Sequence, residues 1–213
     1  MHSSTQTSFI QGPAGKLELI FEQAQGDTTH SICFIMCHPH PLQEGTMHNK
    51  VVTTTCKAFQ QMGCHTLRFN FRGVGLSEGS YGEGLGEIED CLSVITWVKQ
   101  QFPEHSIWLG GFSFGGAVAY SAANRASVAQ LLTITPGITR FPALQKIEPL
   151  MPWLIIQGEA DEVIEPEAVY TWLSEHKASY ELVKWPDVGH FFHGRLIELK
   201  QKLIEIYQPR LTA

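Results

Sequence analysis

Apolar runs rich in Ile, Leu, Val and Phe recur along the chain, separated by stretches in which apolar residues return every third or fourth position. The runs predict strands at Lys16–Glu22, Ser31–Cys37, Cys64–Phe71, Ser106–Gly110, Gln130–Thr135, Trp153–Gln157 and Tyr180–Trp185. The spaced positions predict helices. Met47, Val51, Thr55, Ala58 and Met62 would line the first, and Ile88, Cys91, Leu92, Ile95 and Val98 the second. Gly115–Arg125 would form a third. Glu165-Pro-Glu-Ala168 would open a fourth, with Pro in the first turn where its missing N–H matters least, and Phe192, Leu196, Leu199, Leu203 and Ile206 would line the last. Runs such as Leu131–Ile134 and Trp153–Ile156 are apolar almost throughout, as in parallel strands covered on both faces. Helices between such strands imply right-handed crossovers. The expectation is an α/β fold with a mostly parallel central sheet flanked by helices, in one domain over residues 1–213. A TIM barrel would need about 250 residues and would not begin with hairpin-like strands.

Composition narrows the classes further. Of 213 residues 43% are apolar and 10% aromatic, enough for a core without disulfide or metal staples. Fifteen Lys and Arg against 21 Asp and Glu leave a net charge of −6. That balance argues against nucleic acid as a partner, because phosphate neutralisation needs clustered cations. Charged residues reach only 17%, below the usual ~25%, and Gly, His, Thr and Ser fill the difference, so neither a disordered chain nor a coiled coil fits. Cys33, Cys37, Cys56, Cys64 and Cys91 contain no C-x-x-C pair, and their odd number suits a reducing compartment. Met1–Lys16 has neither a basic nor an apolar leader segment, and no apolar run approaches the ~18–20 residues of a membrane span. A cytoplasmic protein with no membrane partner is expected.

In a parallel sheet, chemistry gathers in the loops that follow the C-terminal strand ends. Gly111-Phe-Ser-Phe-Gly115 lies between a strand and a good helix former, the context of a nucleophile elbow that exposes the Ser113 hydroxyl. The helix N-terminus behind it favours developing negative charge. His190, in Asp187-Val-Gly-His-Phe-Phe-His193, follows the last strand and would serve as the base, while His193 is read as a capping or surface residue. Gln157-Gly-Glu-Ala-Asp-Glu162 offers three acids. Asp161 is preferred as the group that orients the imidazole, and Glu159 and Glu162 are taken as loop acids. The order Ser113, Asp161, His190 is the chain order of α/β-hydrolases. The loop His38-Pro-His-Pro41 occupies the place from which such enzymes supply an oxyanion N–H. Pro39 and Pro41 have no N–H, so His40 would be that donor, with the Phe114 N–H as the second.

At this point a family resemblance enters. His38-Pro-His-Pro41, the block from Gly45 to Val52, Arg68-Phe-Asn-Phe-Arg-Gly-Val-Gly-Leu-Ser-Glu-Gly79, the elbow and Gly189-His-Phe-Phe-His-Gly194 resemble the small, lidless bacterial enzymes of the predicted alpha/beta superfamily hydrolase group. Dienelactone-hydrolase-like and short-chain carboxylesterase enzymes are its relatives, and the likeness runs from about His38 to Arg195. It implies the α/β-hydrolase fold, the triad above and no cofactor. Glu44 stands where the family often has Gly, and Asn70 where it commonly has Asp. Dienelactone hydrolases use a Cys nucleophile, so Ser113 directs attention to esters instead. Thioesters and lactones are the alternatives on the same triad, the expected partner is a small-molecule acyl substrate, and the chain is expected to be a monomer or homodimer.

Only Pro136–Pro152 separates two strands at the place where caps are commonly inserted, too short a stretch for a helical lid domain. An open site follows, with acyl specificity set by loops such as Gly137–Leu144 or by a dimer partner. A metal hydrolase is the sharpest rival, through His38-x-His40, but position 42 is Leu and no H-E-x-x-H occurs. A non-catalytic binding protein on the same fold is the other rival. Glu87 and Asp90 are read as acids complementing a helix N-terminus.

Overall fold

The computed structural model describes residues 7–24, 30–141, 149–175 and 179–211. The elements run β1 (Thr7–Gly12), β2 (Gly15–Glu22), β3 (Ile32–Cys37), α1 (Lys50–Gln61), β4 (His65–Phe69), α2 (Leu85–Gln101), β5 (Ser106–Phe112), α3 (Phe114–Ala123), β6 (Gln130–Ile134), β7 (Trp153–Gly158), α4 (Pro166–Ser174), β8 (Glu181–Trp185) and α5 (Leu196–Leu211). The strands form one sheet in the order β1-β2-β4-β3-β5-β6-β7-β8. β1 and β2 are antiparallel to each other, β2 is antiparallel to β4, and every other neighbouring pair is parallel.

Alternation within single strands explains their apolar character. Cys33, Ile35 and Cys37 of β3 face one core layer, with α2, α3 and α4, while Phe34 and Met36 face the other, with α1 and α5. β7 divides the same way, Trp153 and Ile155 against Leu154 and Ile156. Each such burial contributes roughly 1.5–3 kcal/mol, and both faces draw on the same few strands. Phe34 stacks on Phe59 of α1 at 3.8 Å between ring centroids. All five cysteines are buried and free.

The structure also departs from the expected element bounds. β1 was not among the predicted strands. It is an edge strand whose Thr, Ser and Gln leave mainly Ile10 to mark a buried face. α1 begins after Asn49, whose Oδ1 accepts the Val51 N–H at 2.9 Å. Met47 therefore lies before the helix, its N–H held by Asn70 Oδ1 at 2.8 Å. The last helix starts at Leu196, so Phe192 precedes it and does not line it. Phe192 and Gly194 have φ of 54° and 72°, a left-handed geometry that a right-handed helix cannot pass through. Asp90 does not serve a helix terminus. It is fully buried in α2 and forms a two-pronged ion pair with Arg72, at 2.7 and 3.0 Å. Glu87 does cap α2, accepting the N–H groups of Gly82 and Gly84 at 2.8 Å each.

One topological feature positions the site. The chain passes from β3 outward to β4, then crosses back to place β5 on β3's other side. The crevice at such a reversal, at the carboxyl ends of the strands, is where ligands bind in open α/β sheets. Here Cys37 pairs with Gly111, so the loop from β3 and the turn after β5 emerge side by side.

Candidate active site

Ser113 joins β5 to α3 with φ 55° and ψ −120°. A non-glycine residue in that region carries strain of order 1–3 kcal/mol, held by its surroundings. Four backbone bonds hold it. The Ser113 N–H donates to Ile134 O at 3.0 Å, and its carbonyl accepts from Gly116, Ala117 and Gly137 at 2.9, 3.3 and 2.9 Å. The flanking glycines are required by packing. A Cβ on Gly111 would stand 2.0 Å from the Gly115 carbonyl oxygen, and one on Gly115 would stand 2.4 Å from those of Cys37 and His38. The elbow is therefore pressed against the end of β3, the strand that leads into the His38–Pro41 loop.

His190 stands in the turns after β8. Its Nε2 is 3.0 Å from Ser113 Oγ and its Nδ1 is 2.8 Å from Asp161 Oδ2. The other carboxylate oxygen of Asp161 accepts the N–H groups of Val163 and Ile164 at 2.8 and 2.7 Å, and Gln157 Nε2 donates to Oδ2 at 3.4 Å. The imidazole is 2% exposed, flanked by the rings of Phe112 at 5.0 Å and Phe191 at 4.9 Å. Ser113, Asp161 and His190, drawn from three loops, thus form one hydrogen-bonded chain. Of the remaining candidates, Glu159 and His193 are exposed and lie outside it.

His40 opens a short 3-10 turn at Pro41–Gln43. Its Nδ1 accepts the Leu42 N–H at 3.1 Å, and its Nε2 lies 3.3 Å from the Tyr81 hydroxyl. Partial burial draws the His40 pKa below its ordinary value. Phe114 is the first residue of α3, where a helical N–H has no partner within the helix. His40, Phe114, Ser113 and His190 all line one cavity of about 280 Å³. Phe141, Ile164 and Phe191 give it apolar walls, and Arg140 and Glu44 are its charged side chains. The short turn Gly137–Arg140 supplies one wall, and residues 142–144 of the expected specificity loop lie outside the described residues.

Comparison with known proteins shows the family. XC6422 of Xanthomonas campestris, an α/β serine hydrolase without a lid, is 38% identical, with a TM-score of 0.94 over 100% of this chain and 98% of that one. The chain belongs to the lidless α/β serine hydrolases. An α/β serine hydrolase homologue from Coxiella burnetii is 43% identical over 96% of this hydrolase and 99% of that chain, with a TM-score of 0.90. An uncharacterised Rickettsia prowazekii protein is 30% identical over 92% of this chain and 85% of its own length. The serine aminopeptidase S33 family matches residues 45–138, a stretch that holds Ser113 but neither Asp161 nor His190.

The two departures from the family pattern have local explanations in this hydrolase. Glu44 has φ 57°, a conformation that glycine adopts without strain, so the Gly that the resemblance leads one to expect would fit there. Asn70 donates through Nδ2 to Glu18 Oε2 at 2.7 Å while its Oδ1 receives the Met47 N–H. An Asp at 70 would set two carboxylates together, so Asn suits a chain with Glu at 18. Glu162, taken from the sequence as a loop acid, accepts the backbone N–H of His190 at 3.1 Å and so anchors the turn that carries the imidazole. No periodicity or motif marks it, because its partner is 28 residues away. Among the described residues no three His, Cys, Asp or Glu side chains gather where they could share a metal ion. His38 engages both ring nitrogens with backbone groups, so the His38-x-His40 spacing does not present a ligand pair.

Proposed function

We propose that this hydrolase cleaves small carboxylic esters through an acyl-enzyme, as a serine carboxylesterase with no cofactor. The observation that carries the proposal is the continuous chain Asp161–His190–Ser113, with bonds of 2.8 and 3.0 Å, on the wall of a cavity. Nδ1 of His190 donates to the Asp161 carboxylate, which leaves Nε2 unprotonated and facing the hydroxyl. Ser113 Oγ attacks the ester carbonyl as its proton passes to Nε2, and the imidazolium then protonates the departing alcohol. Asp161 holds the tautomer and stabilises the imidazolium. The N–H groups of His40 and Phe114 receive the developing oxyanion. Water, deprotonated by His190, then releases the acid and restores Ser113.

The cavity volume supports a small acyl group. At about 280 Å³ it falls just below the ~300–1,000 Å³ of typical ligand clefts. The test pairs chemistry with size. A fluorophosphonate probe is expected to label Ser113 in the wild type and not in Ser113→Ala. That variant should lose at least about 10³-fold in kcat with KM little changed. In a series of p-nitrophenyl esters, kcat/KM should peak at short acyl chains. Full activity in Ser113→Ala would end the proposal.

A further inference from the structure

His38 is fully buried, conserves both of its ring nitrogens for backbone partners, and takes no part in the chemistry proposed above. Its Nε2 faces the Phe71 N–H at 3.1 Å and its Nδ1 faces the Pro39 carbonyl oxygen at 2.6 Å. An amide N–H can only donate, so Nε2 is the unprotonated nitrogen. The ring proton therefore sits on Nδ1 and is given to Pro39 O. Burial lowers the His38 pKa to about 3, which keeps this neutral tautomer through the working pH range.

The acceptor matters because of what is at the other end of its peptide. Pro39 C=O and His40 N–H belong to one planar trans unit, so they point in opposite directions. We propose that His38 is a positioning residue for the oxyanion site, its Nδ1–H holding the Pro39 carbonyl so that the His40 N–H faces the cavity. The proposal rests on the ester-hydrolase function above. Few other restraints act on that peptide. Pro39 and Pro41 have no N–H to anchor, and among the described residues no other donor reaches Pro39 O. The next carbonyl, that of His40, is held by the N–H groups of Gln43 and Gly45 at 3.0 and 3.1 Å. The 39–40 peptide could therefore rotate without breaking the 3-10 turn, and rotation would carry the oxyanion donor away. Gly45 leaves room for the latched geometry, since a Cβ there would stand 2.2 Å from Pro39 O. The brace is itself anchored. Phe71 follows Asn70, which holds Met47 at the far end of the same loop.

Two substitutions separate the two bonds of His38. In His38→Asn the amide nitrogen takes the place of Nδ1, retaining the bond to Pro39 O and giving up the one from Phe71. In His38→Gln the amide oxygen reaches the place of Nε2, retaining the bond from Phe71 and giving up the one to Pro39. Losing an oxyanion donor outright lowers kcat about 10²–10³-fold. A donor that is merely unlatched should lower it roughly 10–100-fold in His38→Gln, with KM within about threefold. Affinity for a trifluoromethyl ketone, which forms a tetrahedral oxyanion adduct, should fall by the same factor. His38→Asn should stay within about threefold of wild type on both measures. Thermal unfolding by circular dichroism monitors the fold, and His38→Leu carries the same expectation if His38→Gln does not fold. Equal kcat losses in Asn and Gln with an unchanged ketone affinity would reduce His38 to a packing role and overturn the proposal, as would wild-type kcat in His38→Gln. Fluorophosphonate labelling of wild-type Ser113 is scored separately. If it fails, ester hydrolysis itself falls and the role of His38 with it, whereas labelled wild type beside an indifferent His38→Gln overturns only the latter.

Discussion

Asp161 offers a substitution pair that separates catalysis from stability. One carboxylate oxygen receives the Val163 and Ile164 N–H groups, and the other faces His190 Nδ1. In Asp161→Asn the amide oxygen must stay with the two backbone donors, so its NH₂ group turns to His190. A donor there obliges Nδ1 to accept and moves the ring proton to Nε2, where it points at Ser113 Oγ and blocks proton abstraction. The equivalent exchange in the chymotrypsin triad lowers kcat about 10⁴-fold, or roughly 5.5 kcal/mol, and the same order is expected here. Stability should change little, because both backbone bonds survive. Asp161→Ala removes the acceptor of both N–H groups, one of them on the buried Ile164. At about 1–3 kcal/mol for a buried donor left unsatisfied, the Ile164 N–H alone should cost roughly 1–3 kcal/mol of folding stability, lost together with activity. Ester hydrolysis under saturating substrate gives kcat, and urea unfolding gives the stability difference. If Asp161→Asn keeps kcat within tenfold of wild type, or if the Ala variant is as stable as the Asn variant, the assignment of these bonds is wrong.

Three further outcomes follow from other contacts. Gly111→Ala puts a Cβ against the Gly115 carbonyl, and backbone on backbone cannot yield as a side chain does. It should lose more than about 3 kcal/mol or fail to express in soluble form, which thermal unfolding would show. Glu162→Ala removes the acceptor of the His190 N–H. It should lower kcat about three- to tenfold, the scale of one ordinary hydrogen bond, while Glu162→Gln, which can still accept, should recover most of it. His38 sets an acid limb on stability. The unfolded chain protonates it near 6.5, the folded chain only near 3, so the unfolded state binds the extra proton between those values. Stability then falls as pH drops below 6.5, by roughly 3 kcal/mol at pH 4. His38→Asn lacks this contribution, and urea midpoints measured from pH 7 to 4 should decline less steeply than in wild type. Parallel declines would contradict the buried neutral imidazole.

The fold was legible where a strand touches both core layers. Leu131–Ile134 and Trp153–Ile156 are apolar at every position but one because both faces are covered, and no other element accounts for so short and so apolar a run. β1 was not legible because one edge of it meets solvent and its buried positions are one Ile and a Gly with no side chain. The helix bounds slipped where backbone geometry decides and composition does not. Nothing in the residue type of Phe192 reveals its left-handed φ, and Met47 has the right spacing for a helix that Asn49 begins two residues later. Asp90 misled for a related reason. An acid near a helix start has a local explanation ready, and its true partner, Arg72, lies 18 residues away.

The candidate site divides along the same line. Ser113, Asp161 and His190 could be placed from sequence because each follows a strand at the same sheet edge, so strand order alone brings their loops together. The groups that aim them could not. Glu162 on the His190 backbone, Asn70 on Met47 and Phe71 on His38 are pairs between 23 and 33 residues apart, each a single hydrogen bond between residue types that occur anywhere. His38 shows the consequence most sharply. Read as half of a His-x-His pair it suggests a metal ligand, and only its two backbone partners reveal that its nitrogens are already used. The candidates for proton transfer in such a sheet can thus be found by where strands end. Those that hold the transferring groups in register have to be found by accounting for every buried donor and acceptor around them.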